Sequence, residues 1–196
     1  MIPRLLFRVV PAEPHPVWDA YWARWQALHP TWDFIEYRDP IDPAAFPRTG
    51  HRFAGCYNGR QLADHVRLEA LLAHGGVYVD ADVCPLRPID QLLDLGCFIG
   101  REDDEWCCNA VLGAEPDHPA IRSMLTRMLT YDIDYPEEMG TRCVSAVAMT
   151  RNDVTILHRK AFYPYSAYEA HAHSDWPVPD AYPTSYTIHR WARGAV

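Results

Sequence analysis

Leu5 to Val10 is a short, mainly apolar, β-rich run closed by Pro11, and it predicts a first strand. The period then changes. Val17, Tyr21, Trp22, Trp25 and Leu28 recur three and four apart, as on one helix face, and Pro16 suits a helix start. Trp32 to Tyr37 reads as a second strand, and strand–helix–strand at this spacing opens an α/β sheet. Residues 39 to 57 hold three prolines and two glycines without a period, and predict a loop over the sheet's edge. Gln61 to His74 carries the strongest helical pattern, which Gly75-Gly76 is expected to end in a left-handed cap. Val77-Tyr78-Val79 follows as a buried strand with Asp80-Ala81-Asp82 at its C-terminal end. After Pro85 and Pro88 come an expected short helix from Ile89 to Leu93 and strands at Cys97–Ile99 and Ala110–Leu112. Pro119 to Thr130 is a helix with Ile121, Met124, Leu125 and Met128 inward. Val144–Met149 suits a further helix, Val154–Leu157 a strand, Tyr163–Pro183 an aromatic, Pro-rich wrapping loop and Tyr186–Trp191 a last strand. No repeat or composition shift divides the chain, so one α/β domain over residues 1–196 is expected.

Charge and composition narrow the chemistry. The net charge of −8 argues against a partner with a nucleic-acid backbone. Lys160 is the one lysine among 18 basic residues, so Lys-based covalent chemistry has a single candidate; arginine suits phosphates and carboxylates instead. Six cysteines show no Cys-x-x-Cys spacing and read as reduced, small apolar residues of a cytoplasmic protein. The N-terminal apolar run is broken by Arg8 and Pro11, which does not suit a signal peptide, and no stretch has membrane-spanning length.

Two carboxylates two residues apart on an extended strand end point the same way. Asp80 and Asp82 are therefore candidates to hold Mn²⁺ or Mg²⁺, which would neutralise a diphosphate. Strand C-termini are also where open α/β sheets bind ligands. On the preceding helix Asp64 and Arg67 stand at i and i+3, a spacing that by itself favours a surface ion pair worth about 0.2–0.5 kcal/mol over a ligand-binding role.

The run Arg60-Gln-Leu-Ala-Asp64-His-Val-Arg67-Leu-Glu-Ala-Leu-Leu-Ala-His-Gly75-Gly76-Val-Tyr-Val-Asp80-Ala-Asp82 resembles the signature of the DXD-containing sugar-binding glycosyltransferases. That group, glycosyltransferase family 32 and relatives, is related to the glucosyltransferase domains of large clostridial toxins. Ile2 to Leu6, Asn109 to Pro119, Phe162 to Pro164 and Tyr186 to Trp191 resemble its other segments. The resemblance implies a GT-A fold, a UDP- or GDP-sugar donor, Mn²⁺ or Mg²⁺, and transfer with retention. It implies that Asp64 and Arg67 bind the donor sugar, that Asn109 lies near the reacting sugar, and that Asp80 and Asp82 serve the metal and diphosphate. It also brings His189 to the metal or diphosphate and Trp191 to the donor side. The acceptor is left open among glycan, lipid, protein and modified nucleobase.

The chain departs from the family pattern in places. Phe7 and Val10 stand where the opening strand usually carries His and ends in Trp, Gly140-Thr141 replaces a Gly-Pro pair, and Arg193 stands in a tail without the usual Ser-Trp. The acidic run Glu102 to Glu105 suits a solvated loop or an acceptor-site lining. His171 and His173 lack a confirming carboxylate pattern, and Tyr163, Tyr165, Tyr168 and Trp176 suit either packing or sugar stacking. Trp18, Trp22 and Trp25 suit core or rim. Two rivals share the DXD: a haloacid dehalogenase-type phosphohydrolase, which needs an early nucleophilic Asp and a Lys before a late acidic pair, and a catalytically inactive sugar-nucleotide-binding module.

Overall fold

The computed structural model describes residues 1–133 and 139–192. Strand β1 (Leu5–Val10) pairs in parallel with β2 (Asp33–Arg38) on one side and β3 (Gly76–Val79) on the other. Helix α1 (Pro16–Leu28) makes the first crossover and α2 (Gly59–His74) leads into β3. Then the sheet turns mixed: β6 (Cys107–Ala114) is antiparallel to both β3 and β5 (Cys97–Arg101), and β7 (Thr155–Leu157) is parallel to β5. The order is β2-β1-β3-β6-β5-β7, with β4 (Val83–Pro85) and β8 (Thr187–His189) forming a separate antiparallel pair.

The two-residue alternation of the strands sorts the core into two layers. Phe7, Tyr78, Ile99 and Leu112 face the layer shared with α2, α3 (Pro119–Thr130) and α4 (Thr141–Ala148). Leu6, Val77, Val79, Phe98 and Val111 face the layer that holds Trp25 of α1. Trp18 and Trp25 are buried and Trp22 is half-buried. The described cysteines form no disulfide, and five of the six are buried. Among the described residues no helix is long and apolar enough to cross a membrane.

Several boundaries move from those read in the pattern. α2 starts at Gly59 because the Asn58 side chain caps it, accepting from Gln61 N at 3.0 Å. Gly75 does end the helix, but at φ 65, ψ −159 rather than in the left-handed helical region. Gly76, at φ 95, already belongs to β3. A Cβ there would lie 2.5 Å from Leu5 O, so the pair lets β3 close against β1. Residues 39–57 contain two short 3₁₀ turns, Ile89–Leu93 becomes the 3₁₀ turn Asp90–Leu95, and the short strand β4 was not foreseen.

Glu69 faces inward from α2 and ties that loop down. Its carboxylate accepts from Arg48 N (2.8 Å), Thr49 N (2.8 Å) and Thr49 Oγ1 (2.7 Å). Glu69→Ala leaves the buried Thr49 amide and hydroxyl without their acceptor, so a stability loss of about 3 kcal/mol is expected. Urea denaturation checks this; an unchanged midpoint would contradict the anchoring role.

Candidate active site

Asp80 sits where β3 ends. Its N–H still donates to Ala110 O of β6, while its carbonyl accepts from Val83 N, turning the chain into β4. β4 pairs with β8 so that Val83 lies opposite His189, and this brings His189 beside Asp82 across 107 residues of chain. His189 Nε2 lies 3.1 Å from Asp82 Oδ1 and 3.9 Å from Asp80 Oδ2. One ligand atom from each of the three residues falls within 4.8 Å of the others.

The remaining carboxylate oxygens are engaged by the protein. Asp82 Oδ2 accepts from Ala192 N at 2.7 Å. Asp80 Oδ1 accepts from Tyr78 OH at 2.7 Å and lies 3.2 Å from Arg67 Nη1. Such outer contacts orient ligands. Trp191 adopts φ 54, unusual for a bulky residue, between Arg190 N and Ala192 N, which both bond to Asp82; its ring centroid lies 4.1 Å from that of His189.

The neighbouring half of the site hangs on Arg67. Its side chain is 3% exposed and that of Asp64 12%, so they are not the surface ion pair that i, i+3 spacing alone permits. Arg67 Nη2 lies 3.1 Å from Asp64 Oδ1, Nη1 donates to Asn109 O (2.6 Å), and the guanidinium carbon sits 4.3 Å from the Tyr78 ring centroid. Asn109 Nδ2 donates to Asp64 Oδ1 at 2.8 Å.

Burial drives the titration of these groups. It pushes Asp64 up to about 6, with Arg67 and Asn109 pulling down and Asp80 pushing up. Burial works against charge on Arg67 and on His189, yet Asp80, Tyr78 and Asp64 hold Arg67 above its ordinary value, and Asp82 holds His189 well above its own. Asp82 is held below the usual carboxylate range by His189 against the cost of burial.

Asp64, Arg67, Asp80, Asp82, Asn109, His189 and Trp191 all line one cleft of about 1010 Å³. The departures from the family pattern fall around it. Val10 lines the cleft, while Phe7 is buried against Tyr37 and Tyr78. Gly140 and Thr141 also line it; a Cβ on Gly140 would come within 3.1 Å of Asp64 Oδ2. Arg193 lies outside the described residues. Tyr78 was not singled out from sequence as a site residue; its signal was its place two residues before Asp80 on the same strand.

Other sequence candidates go elsewhere. His173 stacks on Tyr165 at 3.9 Å, and neither it nor His171 reaches the acidic cluster. Tyr163 and Tyr165 are buried packing residues, Trp176 packs edge-on against Tyr21, and Tyr168 is exposed. Lys160 is exposed and does not line the cleft, which removes the lysine that the phosphohydrolase reading needs.

Residues 17–99 match the family described as glycosyltransferase sugar-binding region containing DXD motif. The human alpha-1,4-N-acetylglucosaminyltransferase is 25% identical over 153 residues, covering 66% of this chain and 42% of that protein. A mannosyl phosphorylinositol ceramide synthase of Saccharomyces cerevisiae is 25% identical over 203 residues, covering 92% of this chain and 53% of the relative. The chain thus spans about half the length, or less, of these curated relatives. Among solved structures, galactosyltransferase LgtC with donor and acceptor sugar analogs aligns with TM-score 0.59 at 15% identity, covering 96% of this chain and 87% of its own. The PaToxG glycosyltransferase aligns with TM-score 0.56 at 12% identity, covering 76% and 69%. The fold is therefore GT-A, and within it residues 17–99 are similar to the glycosyltransferase sugar-binding region that contains a DXD motif.

Proposed function

We propose that this chain is a glycosyltransferase. In this reading it moves a sugar from a nucleoside diphosphate to an acceptor hydroxyl, with retention, and uses Mn²⁺ or Mg²⁺ at Asp80, Asp82 and His189. The observation that carries the reading is the convergence of those three ligand atoms beside the Asp64–Arg67–Asn109 network. The donor set fits such an ion: carboxylate oxygens suit a hard cation, and the imidazole nitrogen weights the choice toward Mn²⁺. When bound, the cation supplies charge neutralisation for the leaving diphosphate.

The chain's own residues do the rest. Asp64 accepts hydrogen bonds from the donor sugar, and Arg67 and Asn109 hold its carboxylate in place. Because both already engage Oδ1, Asp64 suits a binding role better than a nucleophilic one, which favours attack by the acceptor on the face the diphosphate leaves. Trp191 packs on His189 and keeps its imidazole turned toward the carboxylates. The relatives' names carry N-acetylglucosaminyl and mannosyl transfer, so UDP- and GDP-sugars head the donor screen.

A thermal-shift screen of UDP- and GDP-sugars with Mn²⁺ tests the reading. A ligand at a hundredfold excess over its dissociation constant stabilises the fold by about 2.7 kcal/mol. Donor stabilisation that vanishes in excess chelator is expected. No stabilisation by any nucleotide-sugar or nucleoside diphosphate, with either cation, would overturn the reading.

Asp64→Asn separates the two halves of the site. Nucleoside diphosphate affinity is expected to stay as it was while turnover of the nucleotide-sugar falls about 100-fold, the worth of one charge-assisted hydrogen bond to the sugar. Equal loss of diphosphate and nucleotide-sugar affinity, with turnover per bound donor unchanged, would remove Asp64 from the sugar.

A further inference from the structure

The acidic run from Glu102 to Glu105 divides in the structure. It joins β5 to β6 and closes on itself. Asp103 Oδ1 accepts from both Glu105 N and Trp106 N at 2.8 Å, and Glu102 N donates to Trp106 O at 2.8 Å. Arg101 Nη1 adds a bond to Asp104 O at 3.0 Å. Asp103, Asp104 and Glu105 are exposed, as a solvated loop requires. Glu102 and Trp106 are half-buried and line the cleft.

This pair lines the same cleft as Asp64, Asn109, Asp82 and His189. Trp106 stands three residues before Asn109, which bonds Asp64. Glu102 shares the cleft lining with His189. Arg142 of α4, whose guanidinium carbon is 5.9 Å from the Trp106 ring centroid, steadies the indole.

We propose that Trp106 and Glu102 form the acceptor subsite, and that the acceptor presents to it a ring polyol, a pyranose or a cyclitol. The inference rests on the glycosyltransferase reading and deepens it. A ring polyol has an apolar C–H face and a rim of hydroxyls. A flat indole takes the first, and a carboxylate accepts from the second with charge-assisted hydrogen bonds. The self-bonded turn holds the backbone that carries both groups before the acceptor arrives, which lowers the entropy lost on binding. A serine or threonine hydroxyl on a peptide offers no such face.

Saturation-transfer NMR with methyl hexopyranosides and myo-inositol, in the presence of Mn²⁺ and UDP or GDP, reads this binding. At least one ring polyol is expected to bind the wild-type chain. Trp106→Ala is expected to weaken it about tenfold and Trp106→Phe about threefold, since a smaller ring keeps part of the platform. Glu102→Gln is expected to weaken it about fivefold. The exposed Glu105→Gln serves as the control and should change nothing.

Calorimetry should find nucleoside diphosphate affinity the same in all four variants, which shows that they fold. Binding of none of these polyols, or equal binding in Trp106→Ala, Trp106→Phe and Glu102→Gln, overturns the subsite. So does Trp106-dependent binding of serine peptides in place of polyols. Failure of UDP and GDP to bind the wild-type chain with Mn²⁺ overturns instead the reading on which the subsite rests.

Discussion

Asp82→Asn is expected to lower sugar transfer about a thousandfold or more while the protein stays folded. Asp82 directs Oδ1 at His189 and the cluster, and holds the segment around Trp191 through Oδ2 and its carbonyl. Asparagine keeps the shape and an acceptor oxygen, so the Ala192 N–H retains a partner. What disappears is one of two negative charges that would hold the cation. Charge stabilisation at a leaving diphosphate is worth several kcal/mol, and about 4 kcal/mol corresponds to a thousandfold in rate. Asp80→Asn should do the same, but it also strips a carboxylate from Arg67, so its stability loss is larger and Asp82 is the cleaner test. Initial rates of nucleotide-sugar consumption, paired with Mn²⁺ binding and a melting curve, check the result. Wild-type rates in Asp82→Asn, or in excess chelator, would sink the cation's role.

Arg67→Ala is expected to cost about 3–5 kcal/mol of stability, the penalty for removing one partner from a buried ionic network. Total stabilities of native domains run to about 5–15 kcal/mol, so this one change consumes a large share. The arginine lies between Asp64 and Asp80, bonds the Asn109 carbonyl and covers the Tyr78 ring. Its loss leaves two carboxylates in a buried pocket without their cation. Arg67→Lys keeps a charge but not the fork, and about half the penalty is expected.

The deficit should depend on pH with a definite sign. Asp64 already titrates near 6 in the fold, above its ordinary value, so its ionisation costs stability as pH rises from about 4 toward 6. Without Arg67 that cost grows and extends to higher pH. Denaturation at pH 5 and pH 8 should therefore show the larger deficit at pH 8. A melting temperature for Arg67→Ala within a degree or two of the wild-type value at both would contradict the network's structural role.

Much of the scaffold was legible in the residues. α1 and α3 follow their apolar spacing almost to the residue, and Pro16 and Pro119 open them. β1 and β3 were read from short apolar runs, with Asp80 and Asp82 at the end of β3. Local signals suffice for these elements because period 3.6 or period 2 states which face a segment must bury. Resemblance supplied more than spacing did for Asp64, Arg67, Asn109 and His189. On spacing alone, Asp64 and Arg67 suited a surface pair, since an i, i+3 interval is the same in water and in a buried pocket.

Partner choice was the tertiary structure's to decide. Backbone hydrogen bonds are the same whichever strands exchange them, so no local pattern announces that β6 inserts antiparallel between β3 and β5, or that β4 and β8 find each other. That second pairing carries His189 to Asp82. Likewise, Tyr78 reads as one more strand residue until its hydroxyl is seen on Asp80, and Glu69 as one more helix acid until the amides of residues 48 and 49 are seen on its carboxylate. The acidic run from 102 to 105 reads as uniform charge; only the closure of its turn on Asp103 sends Glu102 and Trp106 to the cleft and the other acids to water. The sequence by itself determined which faces are buried and where two carboxylates end a strand. Which distant groups meet those carboxylates depended on the packing of the whole chain, because burial and charge pairing arise from neighbours in space and not along the chain.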